Sequence, residues 1–161
     1  MVSPVSPHTI LIGYVIGGIL RGLGVAAIVS VLSLFFTELQ VYSLPITIVV
    51  IVFTSAVFAL GGFLNAVFAR NFDDISIIPA FVLTPLTYLG GVFYSVEMLG
   101  PFWKTISMAN PILHMVNAFR YGILGISDID ISVAISLMLL TTLILYIVCV
   151  RLLISGRGMR S

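Results

Sequence analysis

The chain has 161 residues, of which 60% are hydrophobic and only 8% are charged, with a formal net charge of +1 at pH 7. Soluble domains are roughly half apolar and about a quarter charged, so this composition predicts an integral membrane protein. The basic residues form no patch that follows a phosphate backbone, which argues against nucleic acid as a partner.

Four apolar segments predict membrane-spanning helices, because a bilayer core about 30 Å thick needs roughly 20 helical residues. The segments are continuously apolar, whereas spanning strands would alternate, so a membrane β-barrel is excluded. The predicted spans cover residues 8–36, 44–69, 75–94 and 131–154. The expected fold class is therefore all-α integral membrane, with residues 1–161 forming one transmembrane domain.

The first span carries small residues and one charge on a shared face. Gly13, Gly17, Arg21 and Gly24 lie within about 80° of arc on a helix. Glycines at this spacing let a second helix approach closely, so Arg21 is expected to face a helix contact or a wet cavity. The alternative is that Arg21 lies one turn from the membrane surface and extends its guanidinium to water.

The second span has a similar row of small residues. Ser55, Ala59, Gly62 and Ala66 recur at helical spacing, with Asn65 beside them. The row predicts a helix-packing face first and a transport face only by extension.

The loop over residues 70–76 contains the acidic pair Asp73 and Asp74. An acid–base or metal site is one interpretation, but no His, Cys or second acidic pair lies nearby in the sequence. The simpler interpretation is that both acids cap the third span, where they face the positive end of its helix dipole.

The third span is expected to cross once, to about Tyr94, and to be followed by an external helical hairpin over residues 95–130. Pro101 and Pro111 are each suited to begin a short helix that lies at the surface or dips back without crossing, and Gly122 and Gly125 are candidate stops. Glu97 follows the span at headgroup level, where water, Lys104 or Arg120 would satisfy its charge.

Basic residues predict the orientation. On the side of the termini lie Arg70, Arg151, Arg157 and Arg160, and on the other side Lys104 and Arg120. This bias places both termini in the cytosol. The chain has no phosphate-binding loop or dinucleotide-binding glycine pattern, so no cofactor is expected to bind it, and any ATP must act through a partner.

The stretches "FDDISIIPAFVLTPLTYLGGVFYSVEMLGPFW" and "NPILHMVNAFRYGILG" identify a resemblance. In this order they resemble the permease subunits of type-2 ABC exporters, specifically the YadH-like bacterial inner-membrane permeases. The resemblance implies a permease that pairs with a second permease copy and with two ABC ATPase subunits, which bind ATP and Mg. Such complexes export lipid-linked glycans, polysaccharides or drugs by alternating access.

The resemblance also implies roles for particular positions. The loop with Arg70, Asp73 and Asp74 would face the ATPase, and Gly13, Gly17, Arg21, Gly24 and Gly62 would form helix contacts or the pathway. The external gate would comprise Gly90, Gly91, Tyr94, Glu97, Asn110, Pro111 and Arg120.

The family has two further spans and a coupling helix before the first span of this chain. The chain is therefore expected to be the C-terminal portion of a longer permease or the product of a late start. Two alternatives remain: a non-transporting membrane protein such as a small assembly or scaffold subunit, and a membrane-embedded hydrolase that uses Asp73 and Asp74.

Overall fold

A computed structural model describes residues 6–38, 40–69 and 71–155, and these residues contain helices and no strands. The helices are α1 (Pro7–Ser33), α2 (Leu44–Phe68), α3 (Phe72–Ile78), a π-helical segment (Pro79–Leu83), α4 (Thr84–Tyr88), a 3₁₀ turn (Val96–Met98), α5 (Pro101–Met108), α6 (Pro111–Leu124) and α7 (Ile131–Ser155). The predicted all-α class is confirmed. Arg70, Arg157 and Arg160 lie outside the described residues.

Three helices among the described residues are long and apolar enough to cross a membrane, namely α1, α2 and α7. They coincide with the first, second and fourth predicted spans, with small shifts at their ends. Their length follows from long runs that are almost entirely apolar. Helix α2 begins with a proline in its first turn, where a missing N–H breaks no helical bond.

The third predicted span differs from the expectation. Its helix is broken into pieces of seven, five and five residues and ends at Tyr88 rather than Tyr94. Pro79 and Pro85 interrupt the backbone ladder, because proline has no N–H to donate. At about 1.5 Å per residue the whole run rises only about 26 Å, so helix length alone does not make it a fourth span.

The bundle is organised around α2, which packs against α1, α6 and α7. One core joins α2, α6 and α7 through Val50, Val57, Met115, Ala118, Ala134 and Met138. A second core joins α1, α2 and α7 through Leu11, Leu60, Cys149 and Val150. Both α2 and α7 contribute to the two cores, but α2 has the more extensive packing against α1, so it fixes the relative positions of the other three helices.

Helix α6 runs antiparallel to α2 and covers only half of it. At the start of α2, the N–H of Ser43 donates to the carbonyl of Gly122 at 2.8 Å. At the other end of α6, Ile112 lines the same groove as Thr54 and Phe58, in the middle of α2. The α5–α6 turn therefore lies level with the middle of α2.

The two glycines predicted to stop α6 have different roles. Gly125 follows α6 with φ +73°, and its N–H bonds to the carbonyl of Tyr121, so it is a stop. The prediction for Gly122 was wrong, because it lies inside α6. A Cβ there would come within 3.1 Å of the backbone nitrogen of Thr47, so Gly122 allows α6 to approach α2.

The beginning of α7 is held by a local cap. Asp130 accepts hydrogen bonds from the hydroxyl of Ser132 and from its backbone N–H, the latter at 2.8 Å. These donors, the hydroxyl first, lower the pKa of Asp130 from its ordinary value. The carboxylate is thus stabilised in the charged form that favours a helix N-terminus.

Candidate transport groove and loop latch

The closest approach between α1 and α2 is made by glycines. A Cβ on Gly18 would lie 2.5 Å from the Cβ of Ala59, and one on Gly22 would lie 2.8 Å from the Cβ of Ser55. Any larger side chain would push the helices apart. Ser55 and Ala59 belong to the small-residue row predicted as a packing face on α2, so that prediction is confirmed for these two residues.

The glycines singled out on the first span lie elsewhere. A Cβ on Gly13, Gly17 or Gly24 would meet no atom within 4 Å, and one on Gly62 would only approach the hydroxyl of Tyr14, at 3.8 Å. Their roles as pathway or helix contacts remain predictions. Sequence reasoning missed Gly18 and Gly22, although these two share the same four-residue spacing.

Gly13, Gly17 and Arg21 line a groove of about 670 Å³ between α1 and α2. On the α2 side its wall includes Thr54 and Phe58. Arg21 is exposed and has no hydrogen-bond or ion-pair partner in the described part of the chain. The buried hydroxyl of Thr54 likewise has no partner there. The groove thus has an exposed, unpaired cation at Arg21, and the hydroxyl of Thr54 is buried in its wall.

A second groove of about 480 Å³ continues the first toward α6. Gly22, Val25, Thr54 and Phe58 line both grooves, so the two are contiguous. The second is bounded by apolar side chains, including Ile112, Met115 and Phe119 of α6. The arrangement forms one path along α1 and α2, charged at Arg21 and apolar where α6 covers it.

The acidic pair lies in the first turn of α3, as its capping role requires. Asp74 accepts a hydrogen bond from the backbone N–H of Asn71 at 3.2 Å, so the capping prediction is confirmed for Asp74. The side chain of Asp73 is exposed, and its carbonyl accepts from the hydroxyl of Ser76. No group of three potential metal ligands occurs within the described residues.

At the other end of the molecule, an ion pair joins three loop and helix segments. Arg120 of α6 lies 3.3 Å from Asp128 and donates to the carbonyl of Gly91 at 2.8 Å. Asp128 also accepts from the hydroxyl of Ser95 at 2.9 Å and from the N–H of Val96 at 3.2 Å. We call Arg120, Asp128, Ser95 and the carbonyl of Gly91 the loop latch.

The loop latch is supported by a buried amide that sequence reasoning missed. Asn117 is fully buried, and its Oδ1 accepts from the N–H of Asp128 at 3.0 Å. Its Nδ2 donates back to the carbonyl of Leu113. Asp128 was also missed. The one available signal was that Asn117 and Arg120 fall off the apolar face of α6, which implies polar partners.

The other predicted gate residues surround the latch. Gly90 and Gly91 are buried, and a Cβ on either would lie 2.9 Å from a side chain of α6. Asn110 and Pro111 begin α6, and Asn110 caps it by accepting from the N–H of Ile112. Tyr94 is half-buried, whereas Glu97 is exposed, and Arg120 pairs with Asp128.

Gly91→Ala is expected to destabilise the loop latch. The φ of Gly91 is +68°, which costs an L-residue about 1–2 kcal/mol, and the new methyl would also press on Leu113. The control is Gly100→Ala, where φ is −61° and nothing lies within 4 Å, so the variant loses only the preference for glycine over alanine at the N-cap of α5. Thermal unfolding of the purified variants would measure the difference. Equal midpoints for the two variants would contradict a strained Gly91.

Comparison of the sequence with known proteins identifies the family of the chain. The family model described as "ABC-2 type transporter" matches residues 1–124. The chain belongs to the ABC-2 type transporter family. The predicted resemblance is therefore confirmed.

Two relatives show how far the similarity extends. The "Inner membrane transport permease YadH" of Escherichia coli strain K12 is 48% identical over 161 residues, which are 100% of this chain and 63% of the relative. "Nodulation protein J" of Neorhizobium galegae is 25% identical over 134 residues, 83% of this chain and 50% of the relative. The chain thus spans less than two thirds of these relatives. No solved structure matches it.

Family membership and three apolar helices together identify a multi-pass protein of the bacterial inner membrane.

Proposed function

We propose that this chain forms part of the membrane-spanning permease subunit of an ATP-driven ABC exporter. The observation that carries the proposal is the contiguous path along α1 and α2, which begins beside Arg21 and ends under α6. A charged group that faces such a path inside a membrane protein is a candidate for contact with a transported molecule. Alternating access would expose the two ends of this path in turn.

In this proposal a separate ABC ATPase supplies the energy. Two ATPase copies bind ATP and Mg, and a second permease copy completes the pathway. The loop with Arg70, Asp73 and Asp74 faces the ATPase, so both termini of the chain are cytosolic. The exposed side chain of Asp73 at the beginning of α3 fits such a contact surface.

The α5–α6 hairpin is proposed to be re-entrant. The end of α6 lies beside Ser43, whereas its beginning lies level with the middle of α2. In the proposed orientation Ser43 is on the external side. Helix α5 would descend into the membrane and α6 would return. The π segment and α4 would then bring the chain to the depth of this turn, and residues 89–96 would complete a fourth crossing.

The test is thiol labelling of the full-length permease in complex with its ATPase. In a Cys149→Ala background, Gly17→Cys places a thiol in the groove, and Leu140→Cys places one on the exposed face of α7. We expect a membrane-impermeant maleimide to label position 17 at different rates with and without ATP, and to leave position 140, on the outer face of a candidate span, unlabelled in both conditions. A labelling rate at position 17 that is the same with and without ATP would favour a non-transporting scaffold subunit.

A further inference from the structure

The broken helix over residues 72–88 is weakly attached to the bundle. No residue of the π segment or of α4 is buried. Within the described structure, α3 contacts α2, α4 contacts α6, and the π segment packs only against α3 and α4. The helix is thus held near its two ends and not in its middle.

Each end is held by a buried asparagine. Asn65 of α2, 8% exposed, donates through Nδ2 to the carbonyl of Ile75 at 2.8 Å. Asn110, 3% exposed, donates through Nδ2 to the carbonyl of Leu86 at 2.6 Å. Asn110 sits in the α5–α6 turn, so the second bond links the broken helix to the hairpin.

The sequence itself frees both carbonyls. The carbonyl of Ile75 would accept a helical hydrogen bond from the N–H four residues later, but that residue is Pro79, which has no N–H. The carbonyl of Leu86 would accept from the N–H of Gly90, but at the end of the helix that N–H donates to the carbonyl of Thr87 instead. Unmatched carbonyls in a membrane are costly, so both bonds are strongly favoured. The prolines and glycines that break the helix thereby create its points of attachment.

We propose that Asn65 and Asn110 are positioning residues that make the broken helix a link between the C-terminal end of α2 and the α5–α6 hairpin. A shift of this end of α2 would pull on Ile75, and the helix would pass the shift to Leu86 and so to the hairpin turn. Its role in transport rests on the proposed function, whereas the mechanical link does not.

The test measures hydrogen–deuterium exchange of the full-length permease in lipid nanodiscs, without ATPase or substrate. Asn65→Leu removes the donor with a side chain of similar length. We expect exchange over residues 101–111 to become about fivefold faster, the factor expected for one net hydrogen bond. Thr87→Val is the matched control, because its lost hydroxyl bonds only within the same helix, to Leu83 at 2.8 Å.

A double variant distinguishes the loss of the Asn65 link from the general cost of leaving a carbonyl without a hydrogen bond. In Asn65→Leu/Pro79→Ala the new N–H at position 79 can bond to Ile75, so no carbonyl is left unmatched and the chain should fold. Exchange near Ile75 should return to normal, while exchange in the hairpin should stay fast. A hairpin that regains protection in the double variant, or never loses it in Asn65→Leu, would overturn the proposal.

The outcomes for link and transport are distinguishable. If the labelling rate at position 17 does not change with nucleotide but hairpin exchange becomes faster in Asn65→Leu, the transport proposal fails and the link stands. If labelling responds to nucleotide but hairpin exchange ignores Asn65, the link fails and the transport proposal stands.

Discussion

Gly22→Leu is expected to separate α1 from α2. A Cβ at this position would already lie 2.8 Å from the Cβ of Ser55, and because the backbone fixes the position of each Cβ, the two helices must move apart. Overpacking of this kind costs about 1–3 kcal/mol, and the leucine places the cost at the upper end of that range. The yield of monodisperse protein and its thermal unfolding midpoint would both fall.

Gly24→Leu is the matched control for this substitution. It lies on the same helix, two residues away, and a Cβ there meets nothing within 4 Å. We expect a near-wild-type midpoint for this variant. A second check is rescue: Ser55→Gly should restore much of the stability lost in Gly22→Ala. If Gly24→Leu proves as damaging as Gly22→Leu, the assigned α1–α2 contact is wrong.

Arg120→Ala should release the loop latch. The substitution removes the ion pair with Asp128 and leaves the carbonyl of Gly91 without this donor. Both side chains are about four-fifths buried, with 23% and 20% exposed, so solvent screens the pair only in part. Hydrogen bonds to charged groups contribute about 1.5–3 kcal/mol, and a loss of about 2 kcal/mol is expected on thermal unfolding.

A double-mutant cycle would assign this loss to the pair. Each single variant removes the Arg120–Asp128 pair, so the sum of the two single effects counts it twice and should exceed the effect of the double variant. The additional loss of the acceptor for Ser95 and Val96 occurs in both Asp128 variants and cancels in the cycle. Lys104→Ala, which removes an exposed cation from α5, is the control and should change little. Additive effects of Arg120→Ala and Asp128→Ala would show that the two side chains act independently.

The long spans were predictable because length and continuous apolarity are local properties. Helices α1, α2 and α7 need no knowledge of their neighbours. The third predicted span was not predictable to the same degree, because its prolines make the outcome depend on distant donors. Asn65 and Asn110 satisfy the freed carbonyls, and neither partner is recognisable from spacing alone.

The candidate site also contains some residues that the sequence could predict and others whose roles depend on the fold. The first span has two glycine rows at four-residue spacing, and only the position of α2 decides that Gly18 and Gly22 make the contact. Arg120 was predicted to belong to the gate. Asp128 was missed because its contact with Arg120 depends on the path of the loop that carries Asp128. Residues that act through local backbone needs, such as Asp74 and Gly125, were predicted correctly.

The position of Arg21 has a consequence for how the protein is made. In the middle of a helix, an arginine adds about 2.5–3.5 kcal/mol to the free energy of insertion from the translocon. The many leucine, isoleucine and valine residues of α1 each return about 0.3–0.6 kcal/mol, so the helix can enter the bilayer before α2 has been synthesised. Arg21 therefore offsets part of the favourable insertion free energy that the apolar residues of α1 supply.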